Sequence, residues 1–226
     1  MREGYQGTGP GAIAPDGCAV ELYARLTAGE EPEVVAGAVP PWAHILELGS
    51  GTGRITHPLL DRGFTVTAVD ESAEMLAHVR GARTVRSPIE DLELGERFDA
   101  VLLGSYLVHH GDPRVRRGLL DTCRRHVAED GCVLIQREGL DWHRRIPHER
   151  TDPRGFTVRT LSAEPVGDGV NALRIEYVFP DAVWTQVFRS RPLTREEFES
   201  TLAEAGLAVD RYLTEDGTWV RAVPTP

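Results

Sequence analysis

The sequence predicts an α/β fold with a mostly parallel sheet of seven strands, a terminal antiparallel hairpin and an inserted antiparallel segment. Between residues 45 and 136, short apolar runs typical of buried strands alternate with segments of helical periodicity. Between residues 155 and 189 the periodicity of apolar residues changes to about two, which is typical of antiparallel strands. A last helix and two short strands are expected to follow.

The first elements flank a glycine-rich turn. Residues 1–17 are rich in glycine and proline, so we expect them to be mobile or ordered only when a site is occupied. Helical spacing over 16–28 predicts a lid helix. The apolar runs 45–48 and 64–69 predict strands, and a short helix between them is expected to end near Arg62.

Further strands and helices alternate up to residue 136. Ser72 is a suitable helix N-cap, and Asp112 followed by Pro113 is a typical helix start. Gly131 is expected to end the second of these helices. These patterns predict helices over 72–80 and 112–131, and strands over 82–86, 98–103 and 132–136.

The remaining chain contains the insertion and the end of the sheet. Turns at Gly167-Asp168-Gly169 and Pro180-Asp181 separate three alternating runs. Thr194 and Glu197 form a capping-box pattern, and the runs 207–213 and 218–223 predict a hairpin. We therefore expect one domain, divided into an N-terminal segment with a lid helix (1–30), a core (40–144), an antiparallel insertion (145–191) and a last helix with the hairpin (192–226).

The turn after the first core strand points to a nucleoside ligand. Gly49, Gly51 and Gly53 let the backbone approach a ligand closely, and Asp70 at the end of the next strand can accept hydrogen bonds from ribose hydroxyls. A dinucleotide site requires a third glycine where this chain has Arg54. The presence of Arg54 at this position counts against a nicotinamide cofactor.

With Glu47 ahead of it, the Gly49-x-Gly51-x-Gly53 loop resembles the S-adenosylmethionine loop of class I methyltransferases, which have a Rossmann-like fold. The resemblance covers roughly residues 16–223. It implies that the loop lies beneath the methionine part of the cofactor, that Glu47 helps to position the amino group and that Asp70 binds the ribose. It also implies that Ile89 and Glu90 read the adenine, although a solvated acidic turn is an alternative. The predicted cofactor-binding residues are Glu47, Gly49, Ser50, Gly51, Gly53, Arg54, Asp70, Glu71, Ser72, Ile89, Glu90, Gly104 and Ser105.

Candidate catalytic residues follow the fourth core strand and line the expected rim. His109 could accept a proton from an acceptor hydroxyl or ammonium because histidine titrates near neutrality, but it could equally close a turn together with His110. The candidates for catalysis are His109, His110, Tyr106, His143 and Tyr23. The candidates for acceptor binding are Tyr5, Glu138 and Trp142, of which Trp142 could stack on an acceptor or simply pack.

Composition excludes several function classes. A net charge of −10 and an isoelectric point near 5.3 argue against nucleic acid as a partner. The chain contains no lysine, which excludes Schiff-base chemistry. Three unpaired cysteines and the lack of a long apolar run predict a reduced, cytoplasmic protein with no membrane partner. Catechol-type methylation uses a magnesium site built from several acids and an asparagine. The only asparagine of this chain, Asn171, lies in the insertion, so no metal is expected.

Together these features predict an S-adenosyl-L-methionine-dependent N- or O-methyltransferase that acts on a small-molecule acceptor, as a monomer or a homodimer. The insertion resembles that of bacterial natural-product methyltransferases, including amino-sugar N-methyltransferases, which implies a role in secondary metabolism such as antibiotic biosynthesis. The main alternative is a non-catalytic methyltransferase-like subunit that binds the cofactor or a partner. Further alternatives are a C-methyltransferase or a peptide N-methyltransferase.

Overall fold

The computed structural model describes residues 1–139 and 141–225, which form two β-sheets and six helices. Single 3-10 turns occur at Ile89–Asp91, Leu107–His109 and Trp142–Arg145. In chain order the elements are β1 (Gln6–Thr8), α1 (Val20–Arg25), α2 (Glu31–Ala38), β2 (His44–Leu48), α3 (Thr56–Asp61), β3 (Thr65–Asp70), α4 (Ala73–Leu76), β4 (Arg83–Arg86), β5 (Phe98–Leu103), α5 (Pro113–His126), β6 (Val127–Gln136), β7 (His148–Thr151), β8 (Thr157–Gly167), β9 (Val170–Val178), β10 (Val183–Ser190), α6 (Arg195–Glu204), β11 (Leu207–Tyr212) and β12 (Trp219–Pro224).

The central sheet has seven strands in the order β11-β12-β6-β5-β2-β3-β4. Its five strands from β2 to β6 pair in parallel, and β12 runs antiparallel to both of its neighbours. The predicted parallel sheet and terminal hairpin are therefore confirmed. Apolar clusters cover both faces of the sheet, which explains why its inner strands are apolar at nearly every position.

The strand order reverses next to β2, and this reversal locates the site. Leu48 at the end of β2 pairs with Val69 of β3 on one side and with Leu103 of β5 on the other. The connections from β3 and β5 leave in opposite directions along the sheet, so a crevice opens between the loops that follow β2 and β5.

The second sheet has five antiparallel strands in the order β1-β10-β9-β8-β7. It joins the core through the turn after β5, where Gly111 N–H donates to the Arg189 carbonyl and Arg191 N–H donates to the His109 carbonyl. Leu22 of α1 also packs against the buried Trp184 of β10. These contacts hold the inserted sheet beside the carboxyl ends of the central strands.

The N-terminal region differs from its sequence-based description. The segment expected to be mobile pairs with β10 through β1, where Gly7 lies opposite Gln186. A side chain at Gly7 would come within 2.0 Å of the Gly17 carbonyl, so this glycine permits close packing. The predicted lid helix is limited to Val20–Arg25, because Leu26 adopts an extended conformation. Helix α2 and strands β1 and β7 were not predicted.

Two other helices end earlier than predicted. Ser72 caps α4 by accepting a hydrogen bond from Met75 N–H, as expected, but the helix ends at Leu76 rather than near residue 80. Helix α5 ends at His126, and Gly131 lies within β6. A Cβ atom at Gly131 would lie 2.8 Å from the Asp99 carbonyl, so this glycine serves strand packing and does not end a helix.

Within the described ranges, no helix combines the length and the apolar character needed to cross a membrane.

Candidate active site

A cavity of about 1110 Å³ lies at the carboxyl edge of the central sheet. Its walls come from the loops after the parallel strands, from the N-terminal segment with α1, and from the second sheet. Pockets for a single small ligand usually measure about 300–1000 Å³, so this cavity is slightly larger than that range.

The glycine loop forms one wall of the cavity. Gly49 and Gly51 have φ angles of +71° and +56°, which favour glycine, and both residues line the cavity. A Cβ atom at Gly51 would meet no protein atom within 4 Å and would therefore occupy ligand space. Gly53 has a different role, because a Cβ atom there would lie 2.6 Å from the His57 ring. The loop thus provides a cradle at its first two glycines.

Asp70 lies beside this cradle at the end of β3. Its Oδ2 accepts a hydrogen bond from Gly51 N–H at 2.8 Å, and its Oδ1 accepts one from Ser72 N–H at 2.9 Å. A carboxylate has about four lone-pair sites, so about two remain for the two hydroxyls of a ribose. Burial raises the pKa of Asp70 to about 6, against the opposing effect of the two amides.

Glu47 does not line the cavity, contrary to the role that the resemblance implies for it. It is buried behind the loop, where it accepts a hydrogen bond from Thr56 Oγ1 at 2.5 Å at the start of α3. Burial raises the pKa of Glu47 to about 7. The hydrogen bond between Thr56 and Glu47 thus connects the two ends of the glycine loop. Four further predicted cofactor residues also lie outside the cavity wall, namely Ser50, Gly53, Ser72 and Gly104.

The wall beyond Asp70 contains the predicted adenine residues and an unpredicted arginine. Ile89 and Glu90 line the cavity next to Glu71. Arg2 bridges the two acids, with Nε 3.0 Å from Glu71 Oε1 and Nη1 3.0 Å from Glu90 Oε1. Arg54 also lines the cavity and forms an ion pair of 2.6 Å with Glu31 of α2. The N-terminal segment therefore closes this end of the cavity.

His109 is held on both sides of its ring by backbone groups. Its Nδ1 lies 2.8 Å from the Arg191 carbonyl, and its Nε2 accepts a hydrogen bond from Glu138 N–H at 3.0 Å. Burial lowers the pKa of His109. Because both ring nitrogens are occupied, His109 has no free lone pair that could take a proton from the methyl acceptor. The alternative interpretation, in which His109 holds the turn together, fits this geometry, and the proposed base role does not.

His110 and Tyr5 stack against each other at the cavity wall, with ring centroids 5.4 Å apart. His110 Nδ1 accepts a hydrogen bond from Asp112 N–H at 3.1 Å, and its buried Nε2 has no partner among the described residues. Tyr23 lines the cavity as well, and burial raises its pKa strongly. Tyr5 and Tyr23 both lie at the wall formed by the N-terminal region.

Ser105 and Tyr106 turn sharply after β5. Both have left-handed conformations, with φ angles of +52° and +60°, and Ser105 N–H donates to Gln136 Oε1 at 2.8 Å. Such conformations cost about 1–3 kcal/mol in non-glycine residues and are frequent at ligand sites. Here the turn brings the Tyr106 side chain, 48% exposed, to the cavity wall.

Glu138 is a buried carboxylate that lines the cavity after β6. It accepts hydrogen bonds from His143 Nε2 at 2.7 Å and from Ser190 Oγ at 2.8 Å. Asn171 of β9 lies 3.0 Å from the other ring nitrogen of His143. Trp142 lines the cavity and packs edge-on against the His143 ring. These contacts fix the Glu138 carboxylate at the junction of the two sheets.

The site thus joins most of the predicted residues and several that the sequence did not indicate. Fifteen residues named in advance line the cavity, namely Tyr5, Tyr23, Gly49, Gly51, Arg54, Asp70, Glu71, Ile89, Glu90, Ser105, Tyr106, His109, His110, Glu138 and Trp142. The unpredicted ones include Arg2, Asp16, Gln186 and Arg189. An isolated acid in a glycine-rich segment is the only signal that could have indicated Asp16, and strand periodicity says nothing about Gln186 or Arg189.

Comparison with known proteins identifies the domain. A family profile described as a methyltransferase domain matches residues 45–131. The chain is 32% identical over 174 residues to an uncharacterised methyltransferase of Mycobacterium tuberculosis H37Rv, covering 75% of this chain and 65% of the relative. It is 27% identical over 190 residues to the dTDP-3-amino-3,6-dideoxy-alpha-D-glucopyranose N,N-dimethyltransferase of Streptomyces fradiae, covering 76% and 72% of the two chains. The chain spans 45% of the length of a Staphylococcus carnosus relative and 65% of the length of the Mycobacterium tuberculosis relative. Both shares are below two thirds.

Solved structures share the fold over nearly the whole chain. An S-adenosylmethionine-dependent methyltransferase from Clostridium acetobutylicum superimposes with a TM-score of 0.71 at 13% identity, covering 91% of this chain and 95% of the other. A sugar N-methyltransferase from Streptoalloteichus sp. ATCC 53650 gives 0.69 at 21% identity, covering 97% and 98%. Solved structures with this fold include an amino pentose methyltransferase and a glycopeptide N-methyltransferase that were determined with S-adenosylmethionine bound. The chain thus contains a match to a methyltransferase domain over residues 45–131 and shares its fold with solved S-adenosylmethionine-dependent methyltransferases.

Proposed function

We propose that this protein transfers a methyl group from S-adenosyl-L-methionine to a nitrogen or oxygen atom of a small-molecule acceptor. The observation that carries the proposal is the single cavity that extends from the glycine cradle and Asp70 to Glu138 and the inserted sheet. A cavity that holds both ligands can align the acceptor with the methyl group and exclude water, which is most of what such a transfer requires.

At the cofactor end, the chain offers a cradle and polar contacts. The Gly49 and Gly51 backbone would lie against the methionine part, Asp70 would accept from the ribose hydroxyls, and Ile89 and Glu90 would flank the adenine. When bound, S-adenosylmethionine supplies an electrophilic methyl carbon next to a sulfonium. Glu47 would act only indirectly, through Thr56 and the loop that it supports.

At the acceptor end, Glu138 is the group best suited to orient a nucleophile. His143 and Ser190 occupy one lone pair on each of its oxygens, so the carboxylate can still accept an N–H or O–H from the acceptor. Tyr106 and Trp142 add aromatic surface to the same cavity. With His109 bonded to the backbone, an ammonium or hydroxyl of the acceptor would donate its proton toward Glu138 rather than toward His109.

Transfer to nitrogen is the better supported of the two reactions. The names of relatives include glycine/sarcosine N-methyltransferases and an amino-sugar N,N-dimethyltransferase, although a ubiquinone-biosynthesis O-methyltransferase also matches. The Streptomyces and Streptoalloteichus neighbours favour a role in bacterial secondary metabolism. A carboxylate that accepts from a protonated amine agrees with this assignment.

The experiment combines cofactor binding with transfer. S-adenosylhomocysteine at about 100 times its Kd should stabilise the protein by about 2.7 kcal/mol, whereas NADH should have no effect. Transfer of labelled methyl groups to a panel of small amines and alcohols should be lost in Glu138→Gln with unchanged S-adenosylhomocysteine affinity. Stabilisation by NADH alone would contradict the proposal. Binding without transfer to any acceptor would favour a non-catalytic subunit.

A further inference from the structure

The acceptor end of the cavity carries two arginines without acidic partners. The segment 141–158 forms part of this wall and contains three acids, each with its own arginine. These pairs are Asp141 with Arg144, Glu149 with Arg159 and Asp152 with Arg154. Within the described residues, Arg145 and Arg150 have no ion pair or side-chain hydrogen bond, and both line the cavity.

The positions of these arginines leave their charges open to a ligand. Arg145 ends the 3-10 turn that also carries Trp142, and Arg150 lies on the edge strand β7, opposite Val158 of β8. Arg150 is near enough to Tyr106 that its charge opposes the rise in the tyrosine pKa caused by burial. Arg150 on β7 and Tyr106 after β5 therefore line the same cavity within electrostatic range of each other. The nearby carboxylate of Glu138 is already held by His143 and Ser190.

The remainder of this wall is mainly apolar and aromatic. Trp142, Phe156, Val158 and Ile175 line it together with Phe188. Hydrogen bonds from Arg154 lower the pKa of Asp152, and the charge of Arg150 lowers it further. This carboxylate is already bound by Arg154, so neither Arg145 nor Arg150 has an ion pair of its own within the described residues. Arginine binds planar and tetrahedral oxyanions through paired N–H donors, so the chemistry of this wall matches a phosphate or a carboxylate attached to an apolar or ring-shaped body.

We infer that the methyl acceptor carries an anionic group, a phosphate or a carboxylate, and that Arg145 and Arg150 bind it at a distance from the methylated atom. This inference rests on the proposed function and specifies its substrate class. The two arginines would act in binding and orientation, while Glu138 would orient the atom that receives the methyl group. Their loss would therefore raise the KM for the acceptor more than it lowers kcat.

The test uses anions as probes on protein saturated with S-adenosylhomocysteine. Inorganic pyrophosphate and citrate are titrated separately at constant ionic strength, with sodium chloride as the reference, because exposed charges are screened by salt. The wild type is compared with the double variant Arg145→Gln/Arg150→Gln. The matched control is Arg144→Gln, which removes a neighbouring arginine that is paired with Asp141 and does not line the cavity.

We expect pyrophosphate, citrate or both to raise the Tm of the wild type above the sodium chloride reference. In the double variant the Kd of that anion should increase at least about tenfold, as expected for lost charge-assisted hydrogen bonds, and in Arg144→Gln it should be unchanged. Selective binding of pyrophosphate would indicate a phosphate, and selective binding of citrate a carboxylate. No binding of either anion to the wild type, or equal binding to the double variant, would overturn the inference. Failure of S-adenosylhomocysteine to bind the wild type would instead refute the proposed function.

Discussion

Asp70 should make cofactor binding depend on pH, and its substitution by asparagine should remove this dependence. Without ligand, burial raises the pKa of Asp70 from 3.8 to about 6. A ribose whose hydroxyls donate to the carboxylate stabilises the ionised form and lowers this pKa again. The affinity for S-adenosylhomocysteine should therefore fall as the pH decreases below 6, by up to about tenfold per pH unit.

The same shift has a consequence for stability without ligand. The folded protein holds the Asp70 proton more tightly than the unfolded chain, so the resulting stabilisation is complete below pH 3.8 and is lost as the pH rises through 6. A shift of about two pKa units corresponds to about 3 kcal/mol. Part of this dependence should disappear in Asp70→Asn. Glu47, with a pKa of about 7, adds a second dependence of the same sign at higher pH.

The assay is calorimetric titration of S-adenosylhomocysteine between pH 5 and 8 into the wild type, Asp70→Asn and Glu47→Gln. Asp70→Asn should bind more weakly at pH 8, and its affinity should change less than that of the wild type below pH 6. Glu47→Gln should retain the dependence near pH 6, since Glu47 lies behind the loop. The variants also control for titration of the ligand itself. An Asp70→Asn profile parallel to that of the wild type would refute the assignment of Asp70 to the ribose.

Three further predictions follow from single positions. Gly51→Ala should weaken S-adenosylhomocysteine binding at least about tenfold because its Cβ atom enters ligand space, whereas Gly95→Ala, equally strained at φ +70° but outside the cavity, should cost only stability. His109→Ala should lower the free energy of unfolding in urea by about 2 kcal/mol, since two backbone groups lose their partners; lost turnover at unchanged stability would restore a base role. Thr194→Ala should cost about 1 kcal/mol through the capping box, and an unchanged urea midpoint would contradict this.

Part of the candidate site could be predicted because it lies on local features of the chain. The glycine spacing at 49–53 requires positive φ angles, and Asp70 follows one strand-helix-strand unit later, so both positions are defined by short-range geometry. Parallel strands then bring the ends of β2, β3 and β5 to one edge of the sheet. The cavity wall formed by the glycine loop and Asp70 could therefore be predicted from short segments of the sequence.

Other parts of the site depend on contacts between residues far apart in sequence. His109 looked like a base because histidine titrates near neutrality, but Arg191, distant in sequence, and the Glu138 backbone occupy its nitrogens. Arg2 spans Glu71 and Glu90 only because β1 pairs with β10 and carries the N-terminus across the cavity. No periodicity or spacing near these residues signals such contacts.

The sequence by itself determined the α/β class, the parallel core and the glycine cradle with Asp70, because strand periodicity, glycine conformation and helix capping act over a few residues. The tertiary structure decided which groups face the cavity. It placed Glu47 behind the glycine loop, bonded both ring nitrogens of His109 to backbone groups, and joined Glu138 to His143 and Ser190. Packing between the two sheets sets the hydrogen-bond partners and the burial of each polar group, and these in turn set its pKa and its availability to a ligand.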